Sequence, residues 1–193
     1  MTKVILFDLD GTLTDPGVGI TNSVMYSLKK YRIEGQPWES LYRFIGPPLH
    51  ESYEKFYSFS REQAIQAVSY YREYYEEKGM FENEVYPGIK ELLRVLTKQG
   101  ILCLVATSKP EIYAKKILDY YKLRTYFHYI AGANMDGTRT DKAEVIAYAL
   151  KQIPAEYNNK KILMVGDRSH DIIGAKKNGI DCAGVLFGYG SRE

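Results

Sequence analysis

Lys3-Val-Ile-Leu-Phe-Asp-Leu-Asp-Gly-Thr-Leu-Thr-Asp15 decides how the rest of the chain is read. Val4 to Phe7 is an apolar run with β-branched and aromatic residues, the pattern of a buried strand in a parallel sheet. It ends in two carboxylates one residue apart, Asp8 and Asp10, and Gly11-Thr12 then lets the chain turn sharply. In open α/β sheets, chemistry gathers at the carboxyl ends of the strands. Two like charges held there repel unless a cation sits between them. A hard divalent ion with oxygen ligands, Mg²⁺ above all, meets that need. An Asp-x-Asp pair also serves turns and helix caps, but the apolar strand before this one and the Gly-Thr behind it favour the ion.

Downstream, strands and helices alternate. Ile101–Ala106, residues 128–132, Lys161–Val165 and Ile180–Phe187 read as strands. Residues 89–99, 111–122, 142–150 and 170–178 read as helices, with Asp141 and Glu144 as a capping pair. This β-α-β-α rhythm predicts an α/β fold, a Rossmann-like, doubly wound parallel sheet with right-handed crossovers. Residues 16–83 break the rhythm. They show helical spacing over 19–32, short helices near 38–44 and 49–57, and a long helix opened by a Ser60/Gln63 capping box and stopped at Gly79. An insertion of about 65 residues is too long for a loop. The expected organisation is therefore a core of 1–15 and 84–193 with an all-helical cap of 16–83 inserted into it.

Composition narrows the function. The chain has 193 residues and a formal charge of +2, which gives no reason to expect a nucleic acid polymer or an anionic membrane as partner. The N-terminus enters a strand directly, with no signal peptide or apolar span. Cys103 and Cys182 are the only cysteines and sit in apolar runs, so both are expected to be buried and unpaired, as suits a cytoplasmic protein. Many of the 18 tyrosines fall within residues 53–86 and are read mainly as packing residues.

The opening motif resembles the first signature of the haloacid dehalogenase-like superfamily, an apolar strand followed by D-x-D-G-T. Three further stations extend the resemblance. Thr107, with Ser108, closes the second main strand, Lys142 opens a helix, and Gly166-Asp167-Arg168-Ser169-His170-Asp171 matches G-D-x-x-x-D. Lys109, close behind Thr107, rivals Lys142 for the lysine role, although the family's lysine stands one helix before the fourth signature.

The resemblance implies an Mg²⁺-dependent phosphatase. Asp8 would be the nucleophile and form an aspartyl-phosphate, with Asp10 as general acid and base and Lys142 steadying the phosphoryl group. Thr107, Ser108 and Gly11 would bind phosphate. Asp8, Asp10 (through its main-chain carbonyl), Asp167 and Asp171 would make up the metal site. The insertion corresponds to a type I cap. Its Arg43-Phe-Ile-Gly-Pro-Pro-Leu49 resembles a segment of phosphoglycolate phosphatase-like members, where Arg43 and Gly46 would meet the substrate. Gly137-Thr-Arg-Thr-Asp-Lys142 resembles the 5′-nucleotidase-like branch instead. The implied partner is a small phosphorylated metabolite, and oligomeric state is not legible. A sugar phosphomutase and a non-catalytic phospho-acceptor module are the competing readings. The chain stops at Ser191-Arg192-Glu193, which reads like the opening of another helix; relatives usually continue for one helix or more.

Overall fold

In the computed structural model, which describes residues 2–157 and 160–192, the alternation becomes a defined series of elements. The chain runs β1 (Thr2–Phe7), β2 (Thr14–Asp15), α1 (Gly17–Lys30), α2 (Trp38–Leu41), α3 (Leu49–Tyr57), α4 (Arg61–Glu77) and β3 (Glu84–Val85). It continues as α5 (Ile89–Lys98), β4 (Leu102–Pro110), α6 (Glu111–Tyr120), β5 (Tyr129–Ala133), α7 (Lys142–Leu150), β6 (Lys161–Gly166), α8 (Ser169–Lys177) and β7 (Asp181–Gly184). Two compact units result, Met1–Asp15 with Val85–Glu193, and Pro16–Glu84. Glu84, read from the sequence as core, thus falls in the second unit. Among the described residues, no helix is long and apolar enough to cross a membrane.

The first unit is built on a five-stranded sheet in the order β5-β4-β1-β6-β7, with every pairing parallel. β1 is central, which explains its unbroken apolar run: Val4 and Leu6 face one side, Ile5 and Phe7 the other, and all are buried. Val4, Leu6, Leu104, Ala106 and Met164 pack with Val145, Ile146 and Ala149 of α7 and Ala175 of α8 in one dry cluster. Strand order reverses on either side of β1, so the crevice above the carboxyl ends of β1, β4 and β6 is the switch point where such sheets bind ligands.

Two strands differ from expectation. β4 continues past Ala106 to Pro110, because the ladder to β5 slips after Ala106–Ala131 and resumes at Pro110–Ala133. Such an irregularity turns side chains out of the pleat, here Thr107 to Lys109. β7 stops at Gly184 rather than Phe187: the Val185 N–H donates to the Gly166 carbonyl at 2.9 Å and the chain then leaves the sheet. Cys103 is buried as expected, but Cys182 is only half-buried, because β7 is an edge strand. Burial pushes both thiols up, to about 11. Ser191 and Arg192 carry no regular structure, and Glu193 lies outside the described residues.

The second unit is helical. α1 packs on α4, with the Ser27 hydroxyl donating to the Ala67 carbonyl at 2.7 Å. Gly19 and Gly79 bring two backbone segments together: a Cβ on Gly19 would lie 1.8 Å from the Gly79 carbonyl oxygen. Ser60 and Gln63 form the reciprocal capping box that starts α4. The tyrosine-rich stretch largely fills this unit's interior, since Tyr53, Tyr71 and Tyr75 are buried and Phe44, Tyr53 and Phe59 form successive ring contacts.

Candidate active site

A tight turn follows β1. The Leu9 carbonyl accepts from the N–H groups of Thr12, Leu13 and Thr14, while the Gly11 N–H donates to the Thr14 carbonyl at 2.8 Å. This knot holds Asp8 and Asp10 at the carboxyl end of the central strand. Gly11 has φ +80°, a conformation favouring glycine, and the space where its Cβ would stand is taken by the Asp167 carboxylate, 2.3 Å away. Its amide is therefore engaged within the turn, and its contribution is to let Asp167 approach.

Asp167 follows β6, and Asp171 lies in the first turn of α8, where it accepts the Arg168 N–H at 3.0 Å. Carboxylate oxygens of Asp8, Asp167 and Asp171 lie within 4.8 Å of one another, and all three residues are buried. Lys142, the first residue of α7, reaches into this group because Asp141 caps the helix through the Ala143 and Glu144 N–H groups. Its ammonium stands 2.8 Å from Asp8 Oδ1 and 2.8 Å from Asp171 Oδ1, and donates to the Ala106 carbonyl at 3.2 Å.

The electrostatics follow from burial among like charges. Desolvation raises the Asp8 carboxyl from 3.8 to about 7, against the opposing pull of Lys142. Burial likewise raises Asp167, with the Tyr189 N–H opposing. For Lys142, burial disfavours the ammonium, but the carboxylates of Asp171 and Asp8 outweigh it and raise its pKa.

Asp10 stands apart. Its side chain is outside the three-carboxylate group and pairs with Lys109, whose Nζ is 2.8 Å from Asp10 Oδ2. The two lysines that the sequence sets in competition thus have different partners. Thr107 is buried, and its hydroxyl accepts the Lys109 N–H at 3.2 Å; Ser108 beside it is half-buried. Arg43 and Gly46 belong to the second unit. There the Arg43 guanidinium lies 4.2 Å from the Phe56 ring centre, and Gly46 is exposed with φ +105°.

One participant escaped the sequence reading, and another was named there in a different role. Lys109 was recognisable as a cation beside Thr107, but its pairing with Asp10 depends on the slip in the β4 ladder. Tyr189 donates its main-chain N–H to Asp167 Oδ2 at 2.7 Å, and its only trace in the sequence is the Gly188-Tyr189-Gly190 breaker.

A buried carboxylate with an ammonium beside it and two further buried acids thus gather at one edge of the sheet of an α/β scaffold. The haloacid dehalogenase-like hydrolase family matches residues 5–185, and the chain belongs to it. A 5′-nucleotidase of Pseudomonas aeruginosa is 44% identical over 191 residues, covering 98% of this chain and 85% of that protein. The tyrosine-protein kinase PtkA of Mycobacterium tuberculosis is 39% identical over 192 residues, covering 99% of this chain and 64% of that protein. The crystal structure of a predicted phosphatase from Clostridium acetobutylicum superposes with a TM-score of 0.91 at 47% identity, covering 100% of this chain and 88% of that one. The chain is thus a phosphatase of this family, a phosphoric monoester hydrolase.

Proposed function

We propose that the chain hydrolyses small phosphate monoesters, 5′-nucleotides foremost, with Mg²⁺ and through a phosphoryl group carried on Asp8. The observation that carries this reading is the buried Asp8 carboxylate, held 2.8 Å from the Lys142 ammonium among the carboxylates of Asp167 and Asp171. The residues fit a hard divalent cation. One ammonium pairs with two of the three buried carboxylates, and Asp167 Oδ1 is buried without a hydrogen-bond partner. Asp8, Asp167 and the Asp10 main-chain carbonyl would hold the ion, with Asp171 acting through water or through Lys142. When bound, the ion offsets the charge of the phosphoryl oxygens.

Asp8 then attacks phosphorus in line, forming an Asp8 O–P bond as the ester P–O bond breaks. Asp10 supplies a proton to the leaving alkoxide and later takes one from the water that cleaves the acyl phosphate. Lys142 steadies a phosphoryl oxygen, and the Thr107 hydroxyl and nearby N–H groups take another. The helical unit corresponds to a type I cap with its junctions near Asp15-Pro16 and Glu84-Pro87, and Arg43 and Gly46 are its candidate specificity residues. A cytoplasmic setting suits the unpaired cysteines.

The preference for 5′-nucleotides follows the 44% identity to the Pseudomonas 5′-nucleotidase and the Gly137–Lys142 stretch. Phosphoglycolate, suggested by Arg43–Leu49, is the alternative substrate, and a sugar phosphomutase the alternative reaction. A second reading, discharge of the Asp8 phosphoryl onto a protein tyrosine, is favoured by the 39% identity to PtkA.

The test is phosphate release from 5′-UMP, 5′-AMP, 2-phosphoglycolate and hexose phosphates, with and without Mg²⁺, beside Asp8→Asn. The expected result is release that needs both Asp8 and Mg²⁺ and is fastest with a nucleotide. Isomerised sugar phosphate without release would indicate the mutase, and phosphotyrosine on added protein would indicate the kinase reading. Wild type no better than Asp8→Asn on every substrate would end the hydrolase mechanism.

A further inference from the structure

Beyond Val185 the chain packs against the carboxylate of Asp167. A Cβ on Gly188 would lie 2.2 Å from the Gly11 carbonyl oxygen and 2.5 Å from Asp167 Cβ, and one on Gly190 would lie 1.7 Å from the Asp167 carbonyl oxygen. Only glycine permits this approach on both sides of Tyr189. Tyr189 itself bonds to two acids on other elements of the chain. Its main-chain N–H donates to Asp167 Oδ2 at 2.7 Å, and its phenol donates to Asp15 Oδ1. Phe187 packs edge-on against Tyr86, with ring centres 4.8 Å apart.

We propose that Tyr189 is a positioning residue for the divalent cation: its N–H sets the Asp167 carboxylate, and its phenol, anchored on Asp15, holds that N–H in place. The inference rests on the reading of Asp167 as a metal ligand. A peptide group flanked by two glycines has little stiffness of its own, so something must fix it. A phenol on a carboxylate is a charge-assisted hydrogen bond, strong enough to act as the anchor. With Oδ2 satisfied by the Tyr189 N–H, the unpartnered Oδ1 is left for the ion. Outer partners of this kind orient metal ligands, and their loss typically costs about 10–100-fold in metal affinity or activity. The anchor, Asp15, is also the last residue of the first unit before the helical insertion, so Tyr189 ties the metal carboxylate to that exit.

The test is calorimetric titration of Mg²⁺ into the whole folded protein, wild type beside Tyr189→Phe, Asp15→Asn, the double variant and Asp167→Asn, with the metal-free Tm of each. Tyr189→Phe is expected to weaken Mg²⁺ about tenfold. Asp15→Asn should do the same, and the double variant should be no worse than either, since both remove one bond. Activity should recover towards wild type as Mg²⁺ is raised. If Tyr189→Phe and Asp15→Asn lower only the metal-free Tm, or change nothing, while Asp167→Asn loses the ion, the positioning role is wrong and the ligand reading stands. If Asp167→Asn binds Mg²⁺ as wild type does, the ligand reading falls and the proposal falls with it.

Discussion

Lys109 and Asp10 are joined by an ion pair of 2.8 Å, with the lysine side chain 6% and the carboxylate 13% exposed. The pair brings the end of β4 to the turn after β1 and gives the general-acid candidate a fixed orientation in the absence of substrate. Lys109→Met is therefore expected to lower kcat by about a hundredfold, at the low end of what general acid–base groups contribute. Steady-state kinetics should show a smaller effect on KM.

The acid role makes its own prediction. p-Nitrophenolate leaves readily without a proton, whereas a sugar alkoxide does not. Asp10→Asn should cost about 10²–10⁴-fold on a nucleotide, and distinctly less for the first half-reaction with p-nitrophenyl phosphate. Burst kinetics with both substrates would separate the steps, and equal loss in that first half-reaction would remove Asp10 from the leaving-group side.

Metal and proton compete for the same carboxylates. Asp8 is raised from 3.8 to about 7 in the folded protein, so the folded state binds its proton more tightly than the unfolded chain does. For such a group stability is lost as pH rises between those values, and Asp167 is shifted in the same direction. A bound cation reverses this, since it needs the ionised forms. The rise in Tm on adding saturating Mg²⁺ should therefore be larger at about pH 7.5 than at about pH 5. Thermal melts at both pH values check it, and Asp167→Asn should flatten the difference.

Gly11 holds φ +80° with Asp167 Oδ2 where a Cβ would stand, at 2.3 Å. Gly11→Ala is expected to destabilise the fold by about 1–3 kcal/mol through backbone strain and to displace Asp167 as well. Urea denaturation measures the first effect and Mg²⁺ titration the second.

In the helical unit, Gly19→Ala would place a Cβ 1.8 Å from the Gly79 carbonyl oxygen, which is backbone and has little room to yield. A loss of about 1–3 kcal/mol is expected from forcing α1 off its neighbour. Ser60→Ala, which removes only the cap of α4, should cost about 1 kcal/mol. Both are read from denaturant midpoints.

The sequence by itself determined the architecture and the inventory of chemical groups. β1 is legible because a central parallel strand must be apolar on both faces, and α1 and α4 because helical spacing and a capping box are local signals. Asp8, Asp10, Thr107, Asp167 and Asp171 are legible as acids and a hydroxyl at strand ends or first helical turns. Tertiary structure decided which group meets which. That Lys142 faces Asp8 and Asp171 while Lys109 faces Asp10 depends on sheet order and on the slipped β4 ladder, which bring together residues from separate elements of the chain. The early end of β7, the half-exposure of Cys182 and the bonds from Tyr189 to Asp167 and Asp15 have the same origin. A strand's last residue, a thiol's burial and a main-chain N–H's partner are set by what packs alongside, and local pattern carries no record of it.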